Sequence, residues 1–307
     1  MTFAWFANFA ALLVMPIVLM GVIGRVKSLW SGRKGPPILQ LAFDLQRLAR
    51  KRPTYSTTTT LLFRVAPHLF LVTALCSGAI APLLGSRPIA SFPFDFVWFA
   101  YVWAFGRVAV MLAALDVGSS FEGMGAAREA VFSSILEPAL FLVMGALSFL
   151  GGHRTLHEIS TLHLQAGAPP AVWVLAVASL LIVLQVETSR MPVDDPSTHL
   201  ELTMVHEVMV LDHSGPDLAA IQFGSATKFF VGSSIIATLL NPWAGSPGWL
   251  SGAVNLILCV VIAALLGTVE SLVARLKLRA VPQYIAVALA CGGVALLATI
   301  WRTGASR

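Results

Sequence analysis

Charge is scarce in this chain. Asp, Glu, Lys and Arg together make up 11% of its 307 residues, against 57% hydrophobic residues and a mean hydropathy of +0.82. A soluble domain of this length carries roughly 25% charged residues, so the composition excludes a water-exposed globule, whose surface could not be covered. Cysteine is equally sparse. Cys76, Cys259 and Cys291 lie far apart in apolar runs, with no CxxC pair. That spacing excludes a disulfide framework, a zinc knuckle and an iron–sulfur motif. Long polar segments are missing too, so the whole of residues 1–307 reads as one integral membrane domain. Its formal charge of +5 and pI near 9.4 invite a nucleic-acid reading. That reading fails where the basic residues flank apolar spans, because there they set membrane orientation. No nucleic-acid partner is expected.

What the chain does have is long apolar runs. A membrane-spanning helix needs about 20 mostly apolar residues. Eight windows qualify: Phe3–Gly24, Leu61–Leu84, Phe94–Leu115, Ala130–Leu150, Pro170–Val186, Phe223–Leu240, Trp249–Val269 and Val281–Trp301. The first is no cleavable signal peptide, since no basic residue precedes it and it exceeds an h-region in length. The expected fold is therefore an all-α bundle of about eight transmembrane helices. Fifteen basic residues fall in the connections from odd to even spans, Lys228 counted among them. Only Arg87, Arg154, Arg302 and Arg307 fall on the other side, and Arg107 lies inside span three. The positive-inside rule then places both termini on the non-cytoplasmic side. Tryptophans 30, 98, 103, 243, 249 and 301 lie near span ends, where interface anchors are expected.

Two cytoplasmic segments, about 25–60 and 187–222, carry opposite charge. Arg25 to Arg52 holds eight bases and Asp44, net +7. After Gly32-Arg33-Lys34-Gly35-Pro36-Pro37, apolar residues at 38, 41, 42, 45 and 48 repeat at helical spacing and predict an amphipathic helix. It would lie on anionic lipid or dock a cytoplasmic subunit. Glu187 to Asp217 holds seven acids and only Arg190, net −6. Met191-Pro192 and Asp195-Pro196 bend the chain away from helix. Asp195, or Thr198 with Glu201, then caps a further helix expected to run to about Leu211. His199, His206 and His213 recur every seven residues. That spacing rises about 10.5 Å and keeps neighbours from sharing one metal ion. His206-Glu207 also lacks the second histidine of HExxH.

Ionisable residues inside spans are functional candidates, because burying them in a bilayer is costly. Arg107 and Asp116 belong to span three, Glu129 and Glu137 to span four, and Glu270 to the end of span seven. Arg107 and Asp116, nine residues apart, cannot pair within one straight helix. Glu137 precedes Pro138, which loosens the local backbone ladder. Glu129 and Glu270 also suit a role as interfacial or capping residues.

Four motifs carry a family resemblance. The run 187–207, which opens Glu187-Thr188-Ser189-Arg190-Met191-Pro192-Val193-Asp194-Asp195-Pro196 and closes on His206-Glu207, resembles a segment of the formate hydrogenlyase subunit 4 and hydrogenase-4 component C family. These are membrane subunits of group 4 hydrogenases and are related to complex I subunit 1. The runs Asp116 to Glu129 and Glu137-Pro138-Ala139-Leu140 are similar to that hydrogenase branch, and Gly32 to Gln40 with Asp44 is similar to the first cytoplasmic loop of the superfamily. Met191 and Asp195 depart from the commoner aliphatic residue and Asn, and Pro37 replaces the asparagine typical of complex I.

The resemblance implies a non-catalytic anchor in the cytoplasmic (inner) membrane. Such an anchor binds no cofactor of its own. The nickel–iron centre and iron–sulfur clusters belong to hydrogenase large and small subunits, which it holds against antiporter-like membrane subunits. By the same resemblance Glu187, Arg190, Asp194, Asp195, Glu201 and Glu207 form an acidic coupling loop. From there a proton relay continues through Glu137, Glu129 and Asp116, and Arg33, Lys34, Gly35, Gln40 and Asp44 form a facing dock. The alternatives are a quinone-site subunit of a respiratory NADH dehydrogenase-like complex and a purely structural scaffold. An autonomous ion carrier is disfavoured, because matching interrupted helices are missing.

Overall fold

In the computed structural model the described residues, 2–162, 170–194, 204–246 and 249–305, form helices and connections only. Eight helices are long and apolar enough to cross a membrane. They are α1 (Thr2–Trp30), α3 (Leu61–Ile80), α4 (Asp95–Asp116), α5 (Ser120–Gly151), α7 (Pro170–Glu187), α9 (Gly215–Leu240), α10 (Trp249–Leu272) and α11 (Val281–Ala305). Among the described residues the connections hold three short α-helices, α2 (Gln40–Ala49), α6 (Leu156–Ser160) and α8 (His206–Met209), and one 3-10 turn, Leu278–Ala280. The eight expected spans are all present. Several helices outrun their apolar windows. α5 starts ten residues before Ala130 and α9 starts eight before Phe223. Hydropathy registers only the hydrocarbon-embedded part, whereas backbone hydrogen bonding carries a helix on to its capping signals, here Ser119 and the Ser214-Gly215-Pro216 start.

The bundle is organised around α9, which is buried along nearly all its length while the other spans bury half or less of theirs. Helices α1, α3, α7 and α10 pack against it. Two glycines permit the close approach. A Cβ on Gly232 would collide with Leu184 and press on Trp103, and one on Gly224 would press on Phe70. Small residues at helix crossings serve this purpose in membranes, where packing rather than hydrophobicity holds helices together.

The amphipathic helix expected after Pro37 is α2. It lies against α9 and α1 with Leu48 buried and Phe43 exposed. The helix expected through residue 211 is described only as the single turn α8. Asp195, His199 and Glu201 lie outside the described residues. Trp103 corrects the interface-anchor reading: it is buried, tilted against Phe99 at 4.5 Å between ring centroids. Asp95 is fully buried where the chain enters α4. It accepts hydrogen bonds from the Leu156 and Phe92 amides and the Ser91 hydroxyl.

At the end of the bundle bearing the α3–α4 and α9–α10 connections, neutral side chains stitch the loops together. Asn255 donates to the Leu83 carbonyl (2.9 Å) and accepts from the Thr238 hydroxyl (3.2 Å). Asn241 donates to the Ser251 carbonyl (3.0 Å), and the Ser251 hydroxyl donates to the Gly85 carbonyl (3.2 Å).

Candidate functional site

Four spans converge on Arg107 in the half of the bundle nearer the basic connections. Arg107 sits on α4 beside Gly106, where the missing side chain lets Thr73 and Phe70 of α3 approach closely. Its Nη1 donates to Glu187 Oε2 at the end of α7 (2.5 Å), and its Nη2 donates to Glu137 Oε1 on α5 (2.5 Å). Glu129 Oε1, two turns before Glu137 on α5, lies 3.9 Å from Nε, which has no hydrogen-bond partner. Lys228 on α9 completes the group. Its Nζ donates to Glu187 Oε1 (2.7 Å) and to the Trp103 carbonyl (3.3 Å), and it stands 4.8 Å from the Phe70 ring centroid. Lys228 is 1% exposed. In this medium each member needs its partners, because an unpaired charge in low dielectric is far costlier than a paired one.

The formal balance is two cations against three carboxylates. One negative charge is left over, which a single proton neutralises. The members also differ in where they look. The Glu187 side chain is 4% exposed, whereas that of Glu137, midway along α5, is 39% exposed. Glu137 is thus open sideways, amid otherwise apolar surface.

Below this group lies the acidic segment. Asp194 accepts from Arg275 (2.7 Å) and from the backbone amides of Val205 (3.2 Å) and His206 (2.9 Å). It thereby ties the α10–α11 connection to the start of α8. Met204 is held by Arg128 through its carbonyl (2.7 Å). His206 and Ser189 line the small interior gap that reaches Glu129, Glu187 and Lys228. Burial pushes the His206 imidazole below its ordinary value.

Arg190 joins a second buried group. It lies 3.4 Å from Glu270 Oε1, contacts the Met20 sulfur and stands over the Phe229 ring, while Lys27 reaches Glu270 Oε2 at 3.0 Å. Glu129 and Glu270 are therefore buried ion-pair members, not snorkelling interfacial groups. A cavity of 780 Å³ opens beside this second group, with Asp44, Glu207 and His213 among its lining. His213 stacks on Phe63 at 4.0 Å, and neither of its ring nitrogens has a partner. Burial alone pushes its imidazole down to about 4.

The sequence-expected residues thus divide. Glu129, Glu137 and Glu187 come together on Arg107. Asp194 sits just below them, and Arg190, Glu207 and Asp44 line the neighbouring cavity. Asp116 stands apart, accepting from the Thr60 amide (2.7 Å) and hydroxyl (2.9 Å) at the start of α3. Gln40 and Asp44 pair with each other (3.1 Å), and Asp44 also pairs with Arg47. Arg33 and Lys34 are exposed, and the Gly35 carbonyl accepts from Arg25.

Sequence reasoning misses two residues. It groups Lys228 with the connection bases, yet Lys228 lies about 20 Å into a helix that begins at Gly215. Glu122 is 1% exposed on α5, one heptad before Glu129, with neither carboxylate oxygen partnered. The helix-start signals at Ser214-Gly215-Pro216 and Ser119 could have placed both inside helices.

Comparison with known proteins adds names to this architecture. The chain is 27% identical over 241 residues to hydrogenase-4 component C of Escherichia coli, covering 77% of this chain and 74% of that protein. It is 24% identical over 274 residues to formate hydrogenlyase subunit 4 of the same organism, covering 87% and 88%. It is 27% identical over 237 residues to a subunit of the NADH-quinone oxidoreductase of Flavobacterium psychrophilum, covering 74% and 66%. A chain of the archaeal membrane-bound sulfane sulfur reductase shares the fold, with a TM-score of 0.81, 17% identity and coverage of 96% of this chain and 99% of that one. The family model described as NADH dehydrogenase matches residues 3–301, and this multi-pass membrane subunit of the complex I-like hydrogenase and NADH dehydrogenase kind belongs to that family.

Proposed function

We propose that the chain couples a redox reaction in a soluble arm to ion movement in neighbouring membrane subunits of a formate hydrogenlyase-type hydrogenase complex in the inner membrane. The carrying observation is the Arg107 group, with its one excess negative charge and its one sideways-open member. A buried group that is neutral only when it holds a proton changes state when the field beside it changes. Asp194, His206 and Glu207 lie between that group and the face on which a soluble arm would sit, along the segment 187–217. Its nickel–iron and iron–sulfur chemistry belongs to large and small subunits on that face.

A change of charge in the arm alters the field at Asp194 and Glu187. The proton shared with Glu129 is then held more or less tightly, and Arg107 turns its hydrogen bonds between Glu187 and Glu137. Glu137 passes the change laterally to an antiporter-like subunit covering its opening. Asp116 serves the fold at Thr60 and has no step in this route. Both termini lie on the non-cytoplasmic side in this arrangement.

The test is made in the assembled complex. Glu137→Gln and Glu187→Gln are each expected to abolish ion pumping while hydrogen turnover persists uncoupled. Wild-type pumping and turnover in both variants would end the reading. Variants that impair assembly alone would favour a scaffold.

The 780 Å³ cavity beside Arg190 supports a second reading, in which an amphiphilic quinone enters between α1, α2 and α9 and its carbonyl meets His213. Inhibition of the complex by quinone analogues, lost in His213→Phe, would select it.

A further inference from the structure

A second concave site lies at the end of α1 and owes nothing to the Arg107 group. Its form follows from how α1 stops. The helix ends at Trp30, and Gly32 takes a left-handed conformation (φ 66°). The Gly32 amide donates to the Leu29 carbonyl (3.1 Å) and the Arg33 amide to the Ser28 carbonyl (2.9 Å). This is the paired-bond helix stop that glycine favours. It turns the chain back on itself, and Arg25 pins the far side by donating to the Gly35 carbonyl (3.1 Å). The result is a fixed loop holding Arg33 and Lys34 over the gap between α1 and the end of α10.

That gap has a volume of 530 Å³. Its polar lining comprises Lys27, Arg33, Lys34 and the residues Ser28, Ser31 and Ser271. Lys27 shares the single Glu270 carboxylate with Arg190, and Arg33 and Lys34 have no ion-pair partner among the described residues, so the pocket carries a net positive charge. The rim is apolar and exposed: Leu29, Trp30, Leu272 and Val273. Trp30 is held in place by donating from Nε1 to the Thr268 hydroxyl (3.3 Å). Cations and hydroxyls in a pocket, bordered by apolar side chains at a span end, match a molecule with an anionic phosphate head and acyl tails.

We propose that this pocket binds the headgroup of an anionic phospholipid of the cytoplasmic leaflet, its acyl chains lying along Leu29, Trp30 and Leu272. This reassigns Arg33 and Lys34 from a protein dock to a lipid site. A free anion would need only the cations, and the exposed apolar rim gives the choice to a lipid. An acidic segment of a partner would find the same rim unmatched.

The test uses the full chain in nanodiscs, with Trp30 as the reporter. Brominated phosphatidylglycerol and brominated phosphatidylcholine each quench tryptophan on contact. The difference between the wild-type chain and Trp30→Phe isolates the Trp30 signal. Each basic side chain near an anionic surface is worth roughly fivefold in affinity. The Trp30 signal is therefore expected to prefer phosphatidylglycerol by roughly tenfold or more, and R33Q/K34Q to bring that preference close to unity. Equal quenching by the two lipids would overturn the proposal, as would a preference that survives R33Q/K34Q. Relief of quenching by millimolar inorganic phosphate would assign the site to a soluble anion. Relief on adding the soluble arm would assign it to a protein partner. Either result also overturns the proposal.

Discussion

The two ends of the bundle both bury polar side chains, and they do so in opposite ways. At the end bearing the α9–α10 connection, Asn241, Asn255, Thr238 and Ser251 are fully buried or nearly so, neutral, and satisfied by one another and by loop carbonyls. None of these four side chains can gain or lose charge near neutral pH, so their network has one state and fixes shape. Around Arg107, the buried groups are ionisable, unequal in number, and incompletely paired at Arg107 Nε. That arrangement holds four helices together with one carboxylate more than its cations. Buried polarity in a membrane bundle therefore does not by itself mark function.

The strongest way to break this comparison is to remove Arg107. Arg107→Ala leaves the buried Glu129 and Glu187, and the half-exposed Glu137, with Lys228 alone. Removing one partner of a buried ion pair typically costs about 3–5 kcal/mol. The variant is expected to lose most of its accumulation in membranes, read by quantitative blotting and by the melting temperature of whatever complex forms.

Next in size is an effect of pH. His213 is buried without a partner, and its folded value of about 4 lies below the ordinary 6.5. Above pH 6.5 neither folded nor unfolded chain protonates it, so it contributes no pH dependence. As pH falls from 6.5 toward 4 the unfolded chain takes up the proton first, and stability drops by about 3 kcal/mol at most. His213→Phe is expected to flatten that part of the curve of melting temperature against pH. An unchanged slope would show that the ring is solvated.

At the neutral end, Asn255→Ala strips partners from the Leu83 carbonyl and the Thr238 hydroxyl. A cost of about 1–3 kcal/mol is expected, with ion pumping per assembled complex unchanged. A pumping defect there would abolish the distinction between the two ends. The smallest effect is expected for Asp116→Asn, which retains an acceptor for Thr60. It should cost about 1 kcal/mol or less, the scale of a helix cap, with coupling intact. Lost coupling would return Asp116 to the relay.

Much of the fold was legible in the sequence. Apolar length and charge located eight spans, and the spacing of residues 38 to 48 located α2. The site was legible only in part. Glu187 and Glu137 stood out as carboxylates in or beside apolar helix, and the family resemblance singled out the run from 187 to 207. The pairing did not stand out. Arg107 meets Glu187 across 80 positions and Lys228 meets Glu187 across 41. Such distances are set by how four helices pack, which periodicity does not encode. Lys228 was misplaced for a related reason. The apolar window beginning at Phe223 put it near a span end, and only the start of α9 at Gly215 shows it to be central. Trp103 failed likewise, since an aromatic near a span end on the sequence faces the bundle interior in the fold.

The opening at Glu137 has a consequence for the life of the protein in the cell. A copy that has not met its neighbours exposes a carboxylate to hydrocarbon, which draws in water and thins the leaflet around it.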